Sequence, residues 1–259
     1  MTLRFIHLIL CISASITLAA QSYSAHTRAW GDIEHHGRAW VTNLSKDNKI
    51  SKGLQDRHIS LWASHGYYYD QQKQKWKWQR PNLFGTTEDL FTQTIVVPYL
   101  IPMLENAGAN VFTPRERDWQ KHEVIVDNDD ERPGTSYLEI NVNGNWEKAP
   151  QKGFANRKSV YSDGENPFQQ GTCRMATSTK RKNPSLVSYQ PNLPQAGKYA
   201  VYVSYQTVEK SVDDAQYIVY HKGQETSFSV NQQMGGGTWV YLGTFDFDAG
   251  DNPYNLSLI

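Results

Sequence analysis

Hydrophobic positions in the first half of the chain change from alternating to helical spacing and back. Residues 58–63 alternate and predict a β-strand that runs into a loop at His65. Apolar residues then recur at roughly helical spacing within residues 86–107, and residues 109–113 and 123–126 have the composition of strands. Strand, helix, strand is the unit of an α/β sheet with a right-handed crossover, so the pattern predicts an α/β segment.

The predicted helix has a clear start and stop. Residues 86–89 supply hydroxyls for the N-cap and acids for the positive end of the helix dipole, and Gly108 is well placed to end the helix. Pro98 and Pro102 lie inside it, and each removes a backbone donor at a cost of roughly 3 kcal/mol. We therefore expect a kink or two short helices.

After a turn-rich break at residues 127–134, hydrophobic residues recur at every second position. Turns at residues 221–224 and 235–237 separate short runs in which apolar and polar residues alternate. One predicted face consists of Tyr199, Val201, Val203 and Tyr205, and another strand is lined by Trp239, Tyr241, Phe245 and Phe247. Short strands at this spacing, without a helical period, predict an antiparallel β-sandwich.

Composition excludes some classes of protein and leaves others open. The 259 residues include 26 basic and 26 acidic side chains, a balance that argues against a nucleic-acid-binding protein. With 39% hydrophobic and 20% charged residues, the chain is too apolar for a disordered protein. Aromatic residues reach 12%, which suits flat polar ligands such as sugars but equally suits the core of a sandwich.

Residues 1–20 have the pattern of a secretory signal peptide, with Arg4 followed by a short apolar run and two small residues. We therefore expect a periplasmic or extracellular protein that keeps no transmembrane anchor after cleavage. The remaining predicted parts are a lead-in at 21–52, the α/β segment at 53–123 and the sandwich at 124–259. Cys173 is the one cysteine after the leader, so no intrachain disulfide is expected.

The pair that carries potential chemistry is His65 and Glu88. Each lies at the end or start of a regular element, where a side chain can project from a sheet edge into a cleft. One imidazole and one carboxylate are two of the three protein ligands of a hydrolytic zinc site. A glutamate at a helix start is also stabilised by the helix dipole alone, so both interpretations stay open.

The sequence around this pair resembles zinc N-acetylmuramoyl-L-alanine amidases over about residues 53–126. His58-Ile-Ser-Leu-Trp-Ala-Ser-His-Gly66 is similar to that family's first strand and metal-binding His-Gly, and Glu88 to the glutamate that opens its helix. Residues 104–118 resemble the turn and strand that follow. The resemblance implies an amidase-like three-layer sheet, zinc on His65 and Glu88, and cleavage of the muramoyl-L-alanine amide bond of peptidoglycan. A third ligand and the family's late catalytic glutamate have no counterpart in this chain.

Aromatic and cationic residues near His65 are predicted to contact substrate. Trp76 and Trp78 lie among Lys73, Lys75 and Arg80 and suit a rim that stacks on sugars and attracts acids, although a solvated loop explains them as well. Tyr67 lies two residues after His65 and is expected to line the cleft. Arg115 falls in the loop at the cleft.

The second half contains a series of motifs: Val126-Asp-Asn-Asp129, Gly144-Asn-Trp146, residues 189–203 and 215–221, Val230-Asn-Gln-Gln233 and Gly236-Gly-Thr-Trp-Val-Tyr-Leu-Gly243. On these motifs, residues 124–259 resemble the golvesin/xanthan-lyase carbohydrate-binding-like domain. The resemblance implies binding of polysaccharide without chemistry. Gln232 and Trp239 are the residues expected to contact a glycan, although cross-strand packing explains Trp239 equally well.

Two functions therefore follow from the sequence. The first is a zinc amidase-like hydrolase acting on peptidoglycan, with an appended or inserted glycan-binding module. The alternative is a non-catalytic polysaccharide- or surface-binding protein with an incomplete active site. A polysaccharide lyase is a third option, but no residue stands out as its base. Neither main function involves nucleic acid.

Overall fold

A computed structural model of the chain describes residues 37–251 and 257–258, with gaps at 49, 64, 116, 118, 130–132 and 181. The predicted signal peptide and most of the predicted lead-in lie outside the described residues. Within them, no helix combines the length and the apolar character needed to cross a bilayer.

The first half of the chain contains short strands and one interrupted helical run. In chain order these are β1 (Val41–Asn43), β2 (His58–Ser60), β3 (Tyr67–Asp70), β4 (Lys75–Trp78), β5 (Asn82–Leu83), β6 (Thr86–Thr87), α1 (Glu88–Ile95), α2 (Ile101–Asn106) and β7 (Asn110–Phe112). Strands β2 and β7 pair in parallel, and the helical run lies between them in the chain.

The helical run begins and breaks where the sequence indicates. Thr87 is the N-cap of α1, and its hydroxyl accepts the Leu90 N–H at 3.4 Å. A π-helical turn, Val96–Leu100, contains Pro98 and separates α1 from α2, which has Pro102 in its first turn. Because proline has no N–H to donate, an α-helix cannot run through this position undisturbed. The prediction of two short helices is confirmed.

The α/β segment is smaller than predicted. Its core consists of Ile101, Ala109 and Val111, and the parallel sheet has two strands in the part of the chain that is described. The three-layer amidase-like sheet therefore stays a prediction. Residues 123–126 form no strand, because Val124 packs on the core of the second half instead of joining a ladder.

The second half consists of strands, with a 3₁₀ turn at Pro167–Gln169. The strands are β8 (Ser136–Ile140), β9 (Glu147–Gly153), β10 (Gly171–Met175), β11 (Leu186–Gln190), β12 (Gly197–Val203), β13 (Ala215–His221), β14 (Gln224–Val230), β15 (Val240–Phe247) and β16 (Ser257–Leu258). One sheet has the order β1-β14-β13-β16-β11-β8, and β9–β10 and β12–β15 form antiparallel pairs.

The main core lies between the six-stranded sheet and the β12–β15 pair. Val203 and Val240 from the pair are buried with Val219 and Phe228 from the sheet. On the predicted face of β12, Tyr199, Val203 and Tyr205 are buried and Val201 packs against the same core. This part of the chain is therefore a β-sandwich with two apolar inner faces.

An irregularity in β15 changes which residues face the core. Tyr202 pairs with Tyr241 but Val201 pairs with Gly243, so Leu242 is an extra residue, a β-bulge. The bulge shifts the alternation, and Val240 and Phe247 are both buried although their numbers differ in parity. Trp239, Tyr241, Phe245 and Phe247 do not form one face, and Trp239 lies on the outer side.

Strand β1 comes from the predicted lead-in. It pairs antiparallel with β14, with Val41 opposite Val230, and forms an edge of the six-stranded sheet. Trp40, next to it, joins the two halves: its indole N–H donates to the Tyr205 hydroxyl at 2.6 Å, and its ring centroid lies 3.9 Å from that of Phe112 on β7.

Arg117 makes a second connection between the halves. Its guanidinium lies 3.7 Å from the ring centroid of Tyr241 on β15 and donates to Glu105 of α2 at 2.6 Å. The Arg117 side chain is buried, so both contacts are shielded from water. The α/β segment is thus fixed against the sandwich by an aromatic contact and a cationic one.

Candidate functional site

His65 and Glu88, the predicted zinc ligands, lie side by side. His65 follows β2 and Glu88 is the first residue of α1, and His65 Nε2 lies 3.4 Å from Glu88 Oε1. The His65 side chain is 23% exposed and the Glu88 side chain 65% exposed, so a ligand can approach both from solvent. The fold brings the two groups together, and their metal-binding role stays a prediction.

Arg80 completes this cluster. Its Nη2 lies 3.0 Å from His65 Nε2, and because a guanidinium has only donors, Nε2 is the acceptor in this contact. The Arg80 backbone N–H donates to Asp89 Oδ2 at 2.8 Å. Asp89 is fully buried, and its Oδ1 has no hydrogen-bond partner among the described residues. The first turn of α1 therefore holds the loop that carries Arg80.

The cluster does not by itself fit a hydrolytic zinc ion. Such a site has three protein ligands, and no group of three or more His, Cys, Asp or Glu side chains suited to a metal occurs within the described ranges. His122 lies 3.3 Å from Gln195, and His221 bonds to Thr226 at 3.0 Å. Arg80 also occupies the His65 lone pair that a metal would need.

The predicted substrate-binding aromatic residues form one surface. Strands β3 and β4 pair so that Tyr67 is opposite Trp78 and Tyr69 is opposite Trp76, which places four rings on the same face of the hairpin. The rings of Tyr67 and Trp76 stack with centroids 5.8 Å apart, and Tyr67 meets Trp78 edge-on at 4.8 Å. Tyr67 and Trp76 are exposed, so this aromatic hairpin presents ring faces to solvent.

Arg115 lies against the base of the aromatic hairpin. Its Nη1 donates to the Tyr67 carbonyl at 3.4 Å, and a Cβ added at Gly66 would lie 1.6 Å from the same nitrogen. A side chain at position 66 would displace the guanidinium from this place. Arg115 thereby joins the other three predicted substrate-binding residues beside His65.

Trp239 belongs to a separate aromatic cluster on the sandwich. Its ring centroid lies 4.8 Å from Phe154 and 5.6 Å from Phe168, while 40% of Trp239 remains exposed. The two phenylalanines hold the indole, which lies just before β15 and stays partly open to solvent. A held, half-exposed indole is suited to stacking on a flat ligand.

Gln232 has a structural contact instead of an open side chain. Its Nε2 donates to the Tyr217 hydroxyl at 2.9 Å, and Tyr217 is buried in the sandwich core. Burial is the main cause that raises the pKa of Tyr217 above its usual range. The Gln232 amide nitrogen thus satisfies a buried hydroxyl, and its predicted glycan contact stays a prediction.

A polar cleft of about 380 Å³ lies between β8 and β10. Arg174 donates to both oxygens of Glu139, at 2.6 and 2.7 Å, and the Tyr137 hydroxyl donates to Glu139 at 2.6 Å. The Arg174 hydrogen bond is the main cause that lowers the pKa of Glu139, and burial raises that of Tyr137. Asp129 accepts from the Thr172 backbone and hydroxyl. The cleft is therefore a set of internally paired groups.

The structure adds site residues that the sequence did not single out. Asp89 had no visible role beyond the helix dipole, and its contact with the Arg80 backbone depends on the fold of the intervening loop. Phe154 and Phe168 come from the segments around β9 and the 3₁₀ turn, and no spacing rule links them to Trp239.

Comparison with known proteins places the second half in a family. Residues 124–255 match the model of the Golvesin C-terminal domain. Over 69 residues the chain is 39% identical to xanthan lyase from Bacillus sp. (strain GL1), and this match covers 27% of the chain and 7% of that protein. A solved structure of Paenibacillus xanthan lyase has 26% identity and a TM-score of 0.39, and the match covers 52% of this chain and 11% of that one. The chain thus spans a small part of these relatives.

Proposed function

This chain belongs to the Golvesin C-terminal domain family, and on that premise we propose that its sandwich binds polysaccharide through the outer face of Trp239. The observation that carries the proposal is the half-exposed indole held by Phe154 and Phe168. An indole presents a wide apolar face with a polar edge, which matches the apolar C–H face and the hydroxyl rim of a pyranose. Because the ring is already fixed, little side-chain entropy is lost on binding.

The test is pull-down and affinity measurement on a panel of purified polysaccharides with Trp239→Ala. Removing a central aromatic contact is expected to weaken binding by about tenfold. Trp119→Ala is the matched control, since Trp119 is 62% exposed and lies outside the cluster. Equal affinity of the two variants for every glycan bound by the wild-type chain would overturn the assignment to Trp239.

The aromatic hairpin is a second surface to which we assign glycan contact. Tyr67, Trp76 and Trp78 offer ring faces, and Arg115 at the base can meet a carboxylate or hydroxyl. Trp76→Ala is expected to reduce affinity in the same assay without affecting the contribution of Trp239, because the two surfaces belong to different elements. Additive losses in the double variant are the expected result.

We propose as a second function that His65 and Glu88 are two ligands of a zinc ion in an amidase-like site that acts on peptidoglycan. The 3.4 Å approach of Nε2 to Oε1 favours it. Bound zinc would supply an activated water and polarise the scissile carbonyl. The third ligand has to come from outside the described residues, and Arg80 has to release His65.

Zinc content after dialysis against trace zinc tests this second function. Stoichiometric zinc that is lost in His65→Ala and Glu88→Gln, and kept in His122→Ala, supports it. Wild-type protein without zinc, or zinc that His65→Ala retains, contradicts it and leaves the polysaccharide proposal intact. A cell-wall or extracellular polysaccharide target agrees with export, which we propose from the pattern of residues 1–20.

A further inference from the structure

A groove of about 530 Å³ on the β9–β10 pair has an unusual lining. Three of its side chains are cations and three are amides: Lys148, Lys152, Arg157, Gln151, Gln169 and Gln170. The three cations are exposed, and no acidic side chain lines the groove. An anion that enters it therefore meets positive charge and amide donors without a competing carboxylate.

The strand pairing explains why the cations converge. Lys148 pairs with Arg174 and Lys152 with Thr172, and a register shift in the ladder lies between these two pairs. Because Thr172 and Arg174 are two residues apart on β10 and share a face, the lysines opposite them lie on one side of the pair. Arg157 follows the end of β9. Pro150 lies between them in a strand whose other edge has no partner among the described strands, as a proline in a strand requires.

The cations of the groove are available for an external ligand. Within the described ranges, no carboxylate pairs with Lys148, Lys152 or Arg157. The nearby acids of the adjoining cleft are already engaged, because Glu139 is held by Arg174 and Asp129 by Thr172. The positive charges of the groove are therefore not neutralised by carboxylates of the described chain and can attract an anion from solvent.

We infer that this groove binds the carboxylate groups of an acidic polysaccharide. The inference rests on the proposed polysaccharide binding and specifies its ligand class and its site. Lysine and arginine form ion pairs with carboxylates, and glutamine amides donate hydrogen bonds to sugar hydroxyls and accept hydrogen bonds from them.

The groove and the Trp239 cluster adjoin each other, which favours a glycan over other anions. Gln169 of the groove and Phe168 of the cluster are successive residues of the 3₁₀ turn. One chain of sugar units can therefore stack on Trp239 while its carboxylates reach the cations. Nucleic acid would need a larger basic surface than this chain of zero net charge provides.

The experiment compares polygalacturonate with its carboxyl-reduced neutral form, which has the same backbone without the charges. Wild-type protein is expected to bind the acidic form about tenfold more tightly at low salt, and the difference should shrink as salt rises. The triple variant Lys148→Gln/Lys152→Gln/Arg157→Gln should bind both forms as weakly as wild type binds the neutral one. A control triple, Lys46→Gln/Lys52→Gln/Lys222→Gln, removes the same charge from exposed positions outside the groove and should keep the preference.

The outcomes separate this inference from the function on which it rests. If wild type binds both forms equally and Trp239→Ala weakens both, polysaccharide binding stands and the assignment of carboxylate binding to the cationic groove is wrong. If both triple variants lose affinity equally, the effect comes from the net charge of the protein, and the assignment to the groove is again wrong. If no polysaccharide in the wider panel binds, the proposed function fails. Equal affinity for duplex DNA or anionic phosphatidylglycerol vesicles would contradict the glycan as the ligand class.

Discussion

Replacing Trp40 by alanine is expected to destabilise the whole described unit, since this side chain joins the α/β segment to the sandwich. The indole lies against Phe112 on one side and donates to Tyr205 on the other. It also packs closely on the backbone at Gly235, where an added Cβ would lie 1.7 Å from Trp40 Cζ2. Loss of the side chain therefore leaves a gap that neither neighbour can fill without moving.

The magnitude follows from these contacts. Truncation of a buried tryptophan costs about 3–5 kcal/mol, and because Trp40 is only partly buried we expect about 3 kcal/mol. About 1 kcal/mol of this is the hydrogen bond to Tyr205, which Trp40→Phe removes while most of the ring packing stays. Trp40→Phe should therefore lose about a third of what Trp40→Ala loses.

Urea unfolding followed by far-UV circular dichroism measures both variants. The matched control is Trp119→Ala, which removes an exposed indole and should change the free energy of unfolding by less than about 0.5 kcal/mol. If Trp40→Ala is no more destabilised than Trp119→Ala, Trp40 does not join the two halves and the explanation is refuted.

Three further predictions concern local interactions. Arg174→Ala should lower the free energy of unfolding by about 2 kcal/mol, because it leaves the half-buried Glu139 carboxylate without its charged partner. In the double variant Arg174→Ala/Glu139→Gln the carboxylate is also removed, so part of this lost stability should be restored. Burial raises the pKa of Tyr205 to about 12, against about 10 in an unfolded chain. Its contribution to stability is therefore intact below pH 10 and is lost as the pH rises to 12. The free energy of unfolding, measured at about pH 9 to 11, should fall with rising pH, and the fall should be smaller in Tyr205→Phe. Thr87→Ala removes the N-cap of α1 and should cost about 1 kcal/mol in thermal unfolding, and Thr87→Ser should cost less.

Local signals predicted several helix and turn positions because they act over a few residues, whereas the β3–β4 hairpin was not predicted from its polar, aromatic sequence. The helix start at Thr87, the break around Pro98 and the hairpin turn at Lys222-Gly223 all depend on backbone chemistry that neighbouring residues display. The alternation along β12 likewise indicated its buried face.

Features set by distant contacts could not be predicted in the same way. Strand β1 looked like part of a polar lead-in, because its pairing with β14 depends on Trp40 packing against residues far along the chain. The bulge at Leu242 shifted the expected alternation in β15. It could not be predicted, because one extra residue in a strand does not change the composition.

The candidate sites likewise include features that the sequence predicts and features that depend on distant contacts. His65 follows β2 and Glu88 opens α1, the first strand and the helix of the predicted α/β segment, so a sequence argument could reach their proximity. The sequence analysis placed Arg80 near His65, but its contact with the imidazole and the packing of two phenylalanines against Trp239 depend on the three-dimensional fold. The cationic groove depends on the pairing of β9 with β10, which brings separate segments to one face.

The most direct test of the central claim is a ¹H–¹⁵N NMR titration with an oligosaccharide prepared from a polysaccharide that the protein retains. Sandwich binding predicts that the indole N–H signal of Trp239 shifts in a saturable manner while that of Trp119 stays in place. Saturation with no change at Trp239, and shifts confined to other indoles, would contradict the account.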